Sequence, residues 1–403
     1  MSEQIPVAAA KQEIPTVEEL MRRARELTPL LRERAAATEA NRKMLNENVN
    51  AIIDAGLIRI SQPKRYGGYE MHPTVFFDVA MELAKGCASS AWFQCLMAVH
   101  NWEMALVGQE LCDELWAENP DVQLSSSYAP FGKVEKVEGG YRLKGRWPWS
   151  SGSDHCGWVI LGGMIPAENE GDLPDVNFFV LPREDYKIVD TWHVQGLCGT
   201  GSNDIVVDDA FVPQHRIQNA LQTFMMADKG LEDFQADCFK MPFGVVFATT
   251  LAVVTQGIAE GALEEFKEQM KVKADAYMGQ AYSSDPLILQ RIATADAMIR
   301  GNRLRVKEVY RQLDEYVESG EEIPIELRVR CKFDVQFLAK QNVEAVNLIF
   351  KSAGGSANRN ENPLQRYFRD IEIATNHAFL NYDKGSVNYG RILLGGETQD
   401  FVL

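Results

Sequence analysis

The sequence predicts a mainly α-helical protein with a small β domain in the middle of the chain. Apolar residues recur at the helical period over about residues 17–107, short β-rich runs follow, and the helical period returns after about residue 221. A chain of 403 residues also exceeds the size at which one hydrophobic core keeps growing. We therefore expect an N-terminal helical domain over 15–120, a β domain over 121–221 and a C-terminal helical domain over 222–403.

The N-terminal part contains four helical runs. Residues 18–37 alternate charged and apolar side chains, with acids early and arginines late, as the helix dipole favours. Residues 45–55 form an amphipathic run that stops at Gly56, and Pro73 is placed to open a third helix. Residues 87–106 are apolar at helical spacing on most sides, which predicts a buried helix.

The middle part is predicted to form a small antiparallel β-barrel. Residues 134–149 alternate in the manner of a hairpin around a Gly139-Gly140 turn. Further β-rich runs at 158–165, 176–181 and 205–212 are bounded by Gly, Pro and Asp. In the C-terminal part, helical runs at 249–270, 287–316, 325–353 and 366–394 predict the four long helices of a bundle.

Composition and charge disfavour several classes of protein. The net charge of −16 argues against a nucleic-acid surface and against docking on anionic membranes. No uninterrupted apolar run is long enough to cross a bilayer, and residues 1–6 lack the start of a secretory signal. The seven cysteines contain no Cys-x-x-Cys pair, which fits reduced thiols, and the six histidines lack metal-ligand spacing. We expect a cytoplasmic protein without a metal site, a nucleic-acid partner or a membrane partner.

The chain lacks the common nucleotide-binding motifs. No Gly-x-Gly-x-x-Gly motif follows a predicted strand, and no Walker loop is present. The nearest candidate, residues 196–202, lies between β-rich runs and does not open a helix. We therefore expect no nicotinamide site in this chain, so electrons for any redox chemistry must arrive on a diffusible carrier.

Three segments together resemble one enzyme family. Residues 192–204 contain Gly196-Leu-Cys-Gly-Thr-Gly-Ser202, residues 145–152 are Gly-Arg-Trp-Pro-Trp-Ser-Ser-Gly, and residues 366–378 are Arg-Tyr-Phe-Arg-Asp-Ile-Glu-Ile-Ala-Thr-Asn-His-Ala. These segments resemble the oxygenase components of two-component, flavin-dependent aromatic monooxygenases, which have the acyl-CoA dehydrogenase fold. The similarity runs over residues 22–394 and is greatest to the oxygenases of 4-hydroxyphenylacetate and of a phenolic secosteroid. Cys198 departs from the pattern, because relatives often carry arginine there.

The third segment separates the oxygenases from the dehydrogenases of this fold. In the dehydrogenases a glutamate follows the Arg-Asp pair by eight residues and removes the proton α to a thioester carbonyl. Here the eighth residue after Asp370 is Ala378, which cannot accept a proton. It directly follows His377, a residue typical of the oxygenase branch. The resemblance therefore implies that the fold is kept while the chemistry has changed.

The resemblance also implies a reaction, cofactors and partners. The expected enzyme hydroxylates an aromatic substrate, in the first place a phenol, through a C4a-hydroperoxyflavin with O2 as co-substrate. Reduced FMN or FAD would arrive by diffusion from a separate NAD(P)H-dependent flavin reductase. Relatives are typically homotetramers that assemble through the C-terminal bundle.

Particular residues follow from the same resemblance. Trp149 would shield the isoalloxazine, the Ser151 hydroxyl would contact flavin N5, and His377 would help to hold the oxygen adduct. His100 would bind the phenol and help to deprotonate it. Ser125, Ser127 and Trp192 are also expected at the flavin, Gly354 and Gly355 at the flavin of a neighbouring subunit, and Ser126 at the substrate. Phe243 and Phe247, at the start of the first bundle helix, independently hint at an apolar substrate pocket.

Other interpretations of these residues and of the fold stay open at this stage. A lone histidine on an apolar helix, such as His100, is as often a satisfied core residue, and phenylalanines such as Phe243 and Phe247 are usually core. The serines and the two glycines could form ordinary turns. An acyl-CoA dehydrogenase-type flavoprotein with a carboxylate base from elsewhere, an oxygenase of indoles or sulfur heterocycles, and a catalytically silent paralogue would all share the fold.

Overall fold

The computed structural model describes residues 13–165 and 175–400. Within the described residues, the N-terminal part contains five α-helices. They are α1 (Val17–Asn41), α2 (Asn46–Asp54), α3 (Pro73–Ala84), α4 (Ala88–Val107) and α5 (Gln109–Trp116). The Thr16 side chain caps α1 by accepting the N–H of Glu19, and Pro73 occupies the first turn of α3 as predicted. α4 is buried from its first residue to Leu106, which confirms the helix expected from its all-round apolar pattern.

Seven strands follow in one sheet within residues 124–165 and 175–219, the part of this domain that the structure describes. They are β1 (Leu124–Val137), β2 (Gly140–Ser150), β3 (Trp158–Ile165), β4 (Asp175–Pro182), β5 (Lys187–Val189), β6 (Asn203–Pro213) and β7 (Ile217–Asn219), in the order β5-β6-β2-β1-β3-β4-β7. The predicted hairpin is present, with Val137 opposite Gly140.

One pairing in the sheet differs from the antiparallel arrangement that the sequence predicts. β1 and β3 are parallel, with Leu124 opposite Trp158 and Ser127 opposite Leu161. The reason is the connection over residues 151–157. β2 and β3 lie on opposite sides of β1. The connection leaves the end of β2 beside the start of β1, crosses to the other side of β1 and begins β3 there, also beside the start of β1. A strand that starts there must run in the direction of β1.

Alternate residues of the sheet pack into two different cores. Trp147, Leu161 and Phe179 belong to a core made by the strands themselves. Leu124 and Phe178 belong to the main core, which the sheet shares with the helices. This period-two division places the two faces of β1 in different surroundings, which matters for the site.

The C-terminal part contains seven helices. They are the short α6 (Ala220–Phe224) and α7 (Gly230–Asp233), then α8 (Phe243–Val272), α9 (Pro286–Ser319), α10 (Ile325–Ser352), α11 (Pro363–Ala374) and α12 (Tyr382–Leu393). The first three long helices are present as predicted. The fourth is interrupted, because α11 ends at Ala374 and α12 begins only at Tyr382. The His377 side chain caps a 3₁₀ turn over Ala378–Leu380, and the Asn381 side chain then caps α12.

α8 is the central core helix of the protein. By length and composition it is the one helix, within the described ranges, that could cross a membrane. However, 94% of its apolar window is buried inside the protein, where the helix packs against α3, α4 and α10. Its apolar character is therefore explained by burial in the protein core.

Candidate active site

His377 lies in the break between α11 and α12 and presents a hydrogen-bond donor. The backbone N–H of Phe379 donates to its Nδ1 over 3.3 Å, so the neutral imidazole carries its proton on Nε2. Desolvation lowers the pKa of His377 to about 4, so the ring is neutral at physiological pH. The carbonyl of Phe379 in turn accepts a hydrogen bond of 2.9 Å from Gln336 of α10, which fixes the turn.

His100 lies on α4 and presents the opposite hydrogen-bonding face. Its side chain is fully buried, and its Nδ1–H donates to the carbonyl of Leu124 over 2.7 Å. Nε2 must then be the unprotonated nitrogen, and this buried atom has no hydrogen-bond partner within the described residues. Desolvation lowers the pKa of His100 to about 4 as well. A buried lone pair without a donor in the protein can accept a hydrogen bond from a ligand hydroxyl or from a water.

An aromatic wall connects the two histidines. The Phe247 ring centroid lies 6.2 Å from that of His100 and 6.4 Å from that of His377. Phe243 packs on Phe247 at 5.5 Å, and Tyr128 meets Phe247 edge-on at 5.1 Å. The structure thus brings together four residues that the sequence predicts for catalysis and substrate binding, with an acceptor at one end and a donor at the other.

Ser151 belongs to a chain of hydrogen bonds that fixes its direction. The Trp92 indole N–H donates to Ser151 Oγ over 3.2 Å, Ser151 and Ser202 are 2.7 Å apart, and Ser202 and Thr200 are also 2.7 Å apart. The Thr200 hydroxyl donates to the carbonyl of Leu197 over 2.9 Å.

The direction of this chain makes Ser151 an acceptor. Since a hydroxyl has one hydrogen, Thr200 can only accept from Ser202, and Ser202 can only accept from Ser151. The hydrogen of Ser151 is therefore committed to Ser202, while one lone pair of its oxygen stays available. Trp92 connects Ser151 to His377, because its indole N–H donates to Ser151 and its ring lies 6.0 Å from the His377 ring.

Trp149 is exposed and has a strained backbone. Its side chain is 63% exposed, and its φ of +68° is in the left-handed region. A bulky residue in that region costs roughly 1–3 kcal/mol and is found mainly at functional sites. Two residues from Ser151, this flat apolar surface fits the face of a planar ring system. Trp192 is different, because its indole N–H is engaged inside the protein with the carbonyl of Leu197 at 3.0 Å.

The three serines of β1 do not point the same way. Ser126 lies on the face of Leu124 and Tyr128, toward the helical core and His100. Ser125 and Ser127 lie on the other face, where the Ser127 hydroxyl donates to the carbonyl of Pro148 over 2.8 Å. The three hydroxyls therefore cannot serve one ligand together, and flavin contact by Ser125 and Ser127 stays a prediction.

The Arg369-Asp370 pair anchors the glycine-rich loop. Asp370 accepts the backbone N–H of Leu197 over 2.7 Å, and the Arg369 guanidinium donates to the carbonyl of Gln195. A Cβ at Gly196 would lie only 2.2 Å from the Arg369 carbonyl oxygen, so the close approach requires glycine. The segment that leads to His377 and the loop that carries Thr200 and Ser202 are thereby held together.

Gly354 and Gly355 lie far from these residues within the chain. They follow the C-terminal end of α10, whereas the turn that contains His377 contacts α10 at Gln336, about 24 Å back from the end of the helix at Ser352. Gly354 has a φ of +72°, and a Cβ at Gly355 would meet nothing within 4 Å. Their surface is thus open to a partner, and a role at the flavin of a neighbouring subunit stays a prediction.

Trp92, Thr200 and Ser202 are site residues that sequence reasoning missed. Trp92 lies two helical turns before His100 on α4, so helical spacing could have placed both on one face. The hydroxyls of Thr200 and Ser202 lie inside the glycine-rich motif, but nothing in the sequence shows that they reach Ser151. Across residues 13–165 and 175–400, no group of three His, Cys, Asp or Glu side chains could hold a metal ion.

Comparisons with known proteins show the fold and the family of the chain. Residues 15–115 match the model of the acyl-CoA dehydrogenase N-terminal domain, and residues 249–382 match that of the acyl-CoA dehydrogenase C-terminal domain. The oxygenase subunit HsaA of a flavin-dependent monooxygenase from Rhodococcus jostii is 38% identical, with 92% of this chain and 97% of that protein aligned.

Two further relatives extend the similarity. The oxygenase component of p-hydroxyphenylacetate 3-hydroxylase from Acinetobacter baumannii is 32% identical over 94% of this chain and 89% of that protein. The solved structure of XiaF from Streptomyces sp. in complex with FADH2 superposes with a TM-score of 0.88 at 26% identity, over 96% of this chain and 98% of that one.

The chain has the acyl-CoA dehydrogenase fold. It belongs to the flavin-dependent monooxygenases of that fold, as an oxygenase component. Such a component uses reduced flavin and O2, and a separate flavin reductase supplies the flavin.

Proposed function

We propose that this oxygenase hydroxylates a phenol in the space between His100 and His377. The observation that carries the proposal is the pair of neutral imidazoles in opposite tautomers, with ring centroids 6.2 Å (His100) and 6.4 Å (His377) from that of Phe247. At the His100 end, the free Nε2 accepts a hydrogen bond from a ligand that can donate one, as a phenol does. At the His377 end, Nε2–H can donate a hydrogen bond to an activated oxygen.

The residues at the His377 end fit a reduced flavin. Ser151 keeps an acceptor lone pair, as an N–H of reduced flavin requires, and Trp149 offers an exposed aromatic face. When bound, the reduced flavin supplies the two electrons that activate O2. His377 offers its Nε2–H toward that oxygen, and Trp92, which is buried, excludes water from the same side.

The residues at the His100 end polarise the substrate. A phenol O–H that donates to His100 Nε2 gains electron density at its ortho carbon, which becomes the better nucleophile. With a pKa near 4, His100 is a weak base, so it accepts a hydrogen bond from the phenol and does not remove the proton outright. This differs from the expectation, based on the ordinary histidine pKa, that His100 deprotonates the phenol.

Substrate class and assembly belong to the same proposal. Sulfur heterocycles cannot donate to His100, so phenols are favoured over them. We also propose a homotetramer, because Leu304, Leu393 and Leu394 of the C-terminal helices are 65%, 67% and 91% exposed and further copies of the chain can cover them. We further propose that the enzyme works in the cytoplasm with an NAD(P)H-dependent flavin reductase.

The experiment mixes the purified protein with reduced FMN or FAD, O2 and a panel of phenols, indoles and sulfur heterocycles. We expect hydroxylated product from phenols, with most of the O2 consumed appearing in product. An acyl-CoA dehydrogenase would instead purify with tightly held flavin and be bleached by an acyl-CoA. Product from no phenol, with turnover of acyl-CoA or of heterocycles alone, would contradict the proposal.

Replacing Thr200 with valine tests the hydrogen-bond direction at Ser151. Valine removes the hydroxyl that accepts from Ser202, so Ser202 is free to donate to Ser151 and Ser151 can turn its own hydrogen toward the flavin. We expect the fraction of O2 recovered as hydrogen peroxide to rise several-fold, corresponding to about 1 kcal/mol for one hydrogen bond. Thr200→Ser keeps the hydroxyl and is the matched control. Equal peroxide yields from the two variants would show that this direction has no role.

A further inference from the structure

One face of α4 carries a second polar group beyond His100. Trp92, Leu96, His100 and Glu103 follow each other at spacings of four, four and three residues and therefore share a face of the helix. Trp92 lies at the end near Ser151 and His377, whereas Glu103 lies about 16 Å further along the helix axis. Glu103 is therefore on the side of His100 that points away from His377.

Glu103 is a buried carboxyl group with one oxygen unused. Its side chain is fully buried, and the Tyr128 hydroxyl donates to Oε2. Oε1 is buried and has no hydrogen-bond partner in the part of the chain that the structure describes. Tyr128 also contacts His100 at 6.4 Å and Phe247 at 5.1 Å, so the pair borders the same aromatic wall.

The charge state of Glu103 decides what it can bind. Desolvation raises the pKa of Glu103 to about 8, the hydrogen bond from Tyr128 lowers it, and the nearby Asp228 raises it. The carboxyl group is therefore protonated at neutral pH. Because Oε2 already accepts from Tyr128, the proton resides on Oε1, which makes this oxygen a donor.

We propose that Glu103, held by Tyr128, donates a hydrogen bond to a second oxygen atom of the phenolic substrate, on the side of His100 away from His377. This rests on the proposed function and deepens it. His100 and Glu103, one turn apart, form an acceptor and a donor on one face. They fit a phenol that carries a ketone, ether or hydroxyl oxygen several ångströms from its own O–H.

The test uses pairs of phenols with the same skeleton, in which one member has a ketone where the other has a methylene. Their Kd values are measured by calorimetry with flavin-free protein, and kcat/KM is measured with reduced flavin supplied. We expect at least one pair in which the ketone binds about ten-fold more tightly to the wild-type protein. Glu103→Leu should reduce this ratio to about one, whereas Glu103→Gln, which keeps an N–H donor, should retain most of it.

Tyr128→Phe removes the group that holds Glu103 without touching its carboxyl, so it should lower the same ratio even if Glu103→Leu fails to fold. If phenols are hydroxylated but no pair shows the preference, or the preference survives in both Glu103→Leu and Tyr128→Phe, this inference is wrong while the proposed function stands. A substrate complex in which Oε1 binds only a buried water would also overturn it. If no phenol binds at all, the proposed function itself fails.

Discussion

His100→Asn is expected to lower kcat/KM for the phenol by about 10²-fold, near the upper end of the roughly 1–3 kcal/mol that it costs to leave a buried polar group without a partner. The asparagine amide can still donate to the carbonyl of Leu124, as Nδ1 does now, but places no acceptor where Nε2 lies. The phenol hydroxyl would then be buried beside Phe247 without a partner, and the ring would lose its activation. The measurement is steady-state product formation with reduced flavin supplied.

His100→Gln is the matched control for this change. The longer side chain can place its carbonyl oxygen near the position of Nε2, so it should retain much more activity than asparagine. The pKa of about 4 also predicts that wild-type kcat/KM shows no transition near pH 6.5 from this residue. The account is contradicted if asparagine is as active as glutamine, or if the activity of the wild-type protein titrates with His100 near neutral pH.

Replacing His377 with asparagine is expected to have the second large effect, on the use of oxygen. The asparagine side-chain oxygen can still accept the N–H of Phe379 and so keep the turn, but no donor remains where Nε2–H was. Loss of one donor aimed at a reacting oxygen typically costs about 10²- to 10³-fold in rate. We therefore expect little product, near-normal O2 consumption and most of that oxygen released as hydrogen peroxide.

His377→Gln provides the comparison, because its amide N–H reaches toward the position of Nε2. It should form more product and less peroxide than His377→Asn at equal thermal stability. Equal coupling of O2 to product in the wild-type protein and in both variants would remove His377 from the mechanism. A loss of product with no rise in peroxide would instead indicate that the residue acts on flavin binding.

Much of the fold follows from local sequence patterns. α4 and the hairpin of β1 and β2 are encoded by periodicity and by the Gly139-Gly140 turn, so their positions were predictable. The break between α11 and α12 was not, because the apolar pattern continues through it while the side chains of His377 and Asn381 cap new turns. The parallel pairing of β1 and β3 depends on which edge of β1 the chain reaches, which no local pattern shows.

Some residues of the candidate site were also predictable from local motifs, whereas their contacts were not. Motifs indicated His377 and Ser151, and the structure places Phe247 within reach of both histidines. The sequence does not show contacts between distant segments, such as the hydrogen bond between Trp92 and Ser151, which are 59 residues apart. The tautomers of His100 and His377 likewise depend on backbone partners that exist only in the folded chain.

The account depends most on the assignment of the oxygen-activating site to Ser151 and His377. A crystal structure of the protein soaked with reduced flavin in the absence of O2 tests it most directly. We expect flavin N5 about 3 Å from Ser151 Oγ, within hydrogen-bond distance, with the ring against Trp149 and the same edge facing His377. A flavin ring bound elsewhere, with neither Ser151 nor His377 in contact with its N5 edge, would contradict the account.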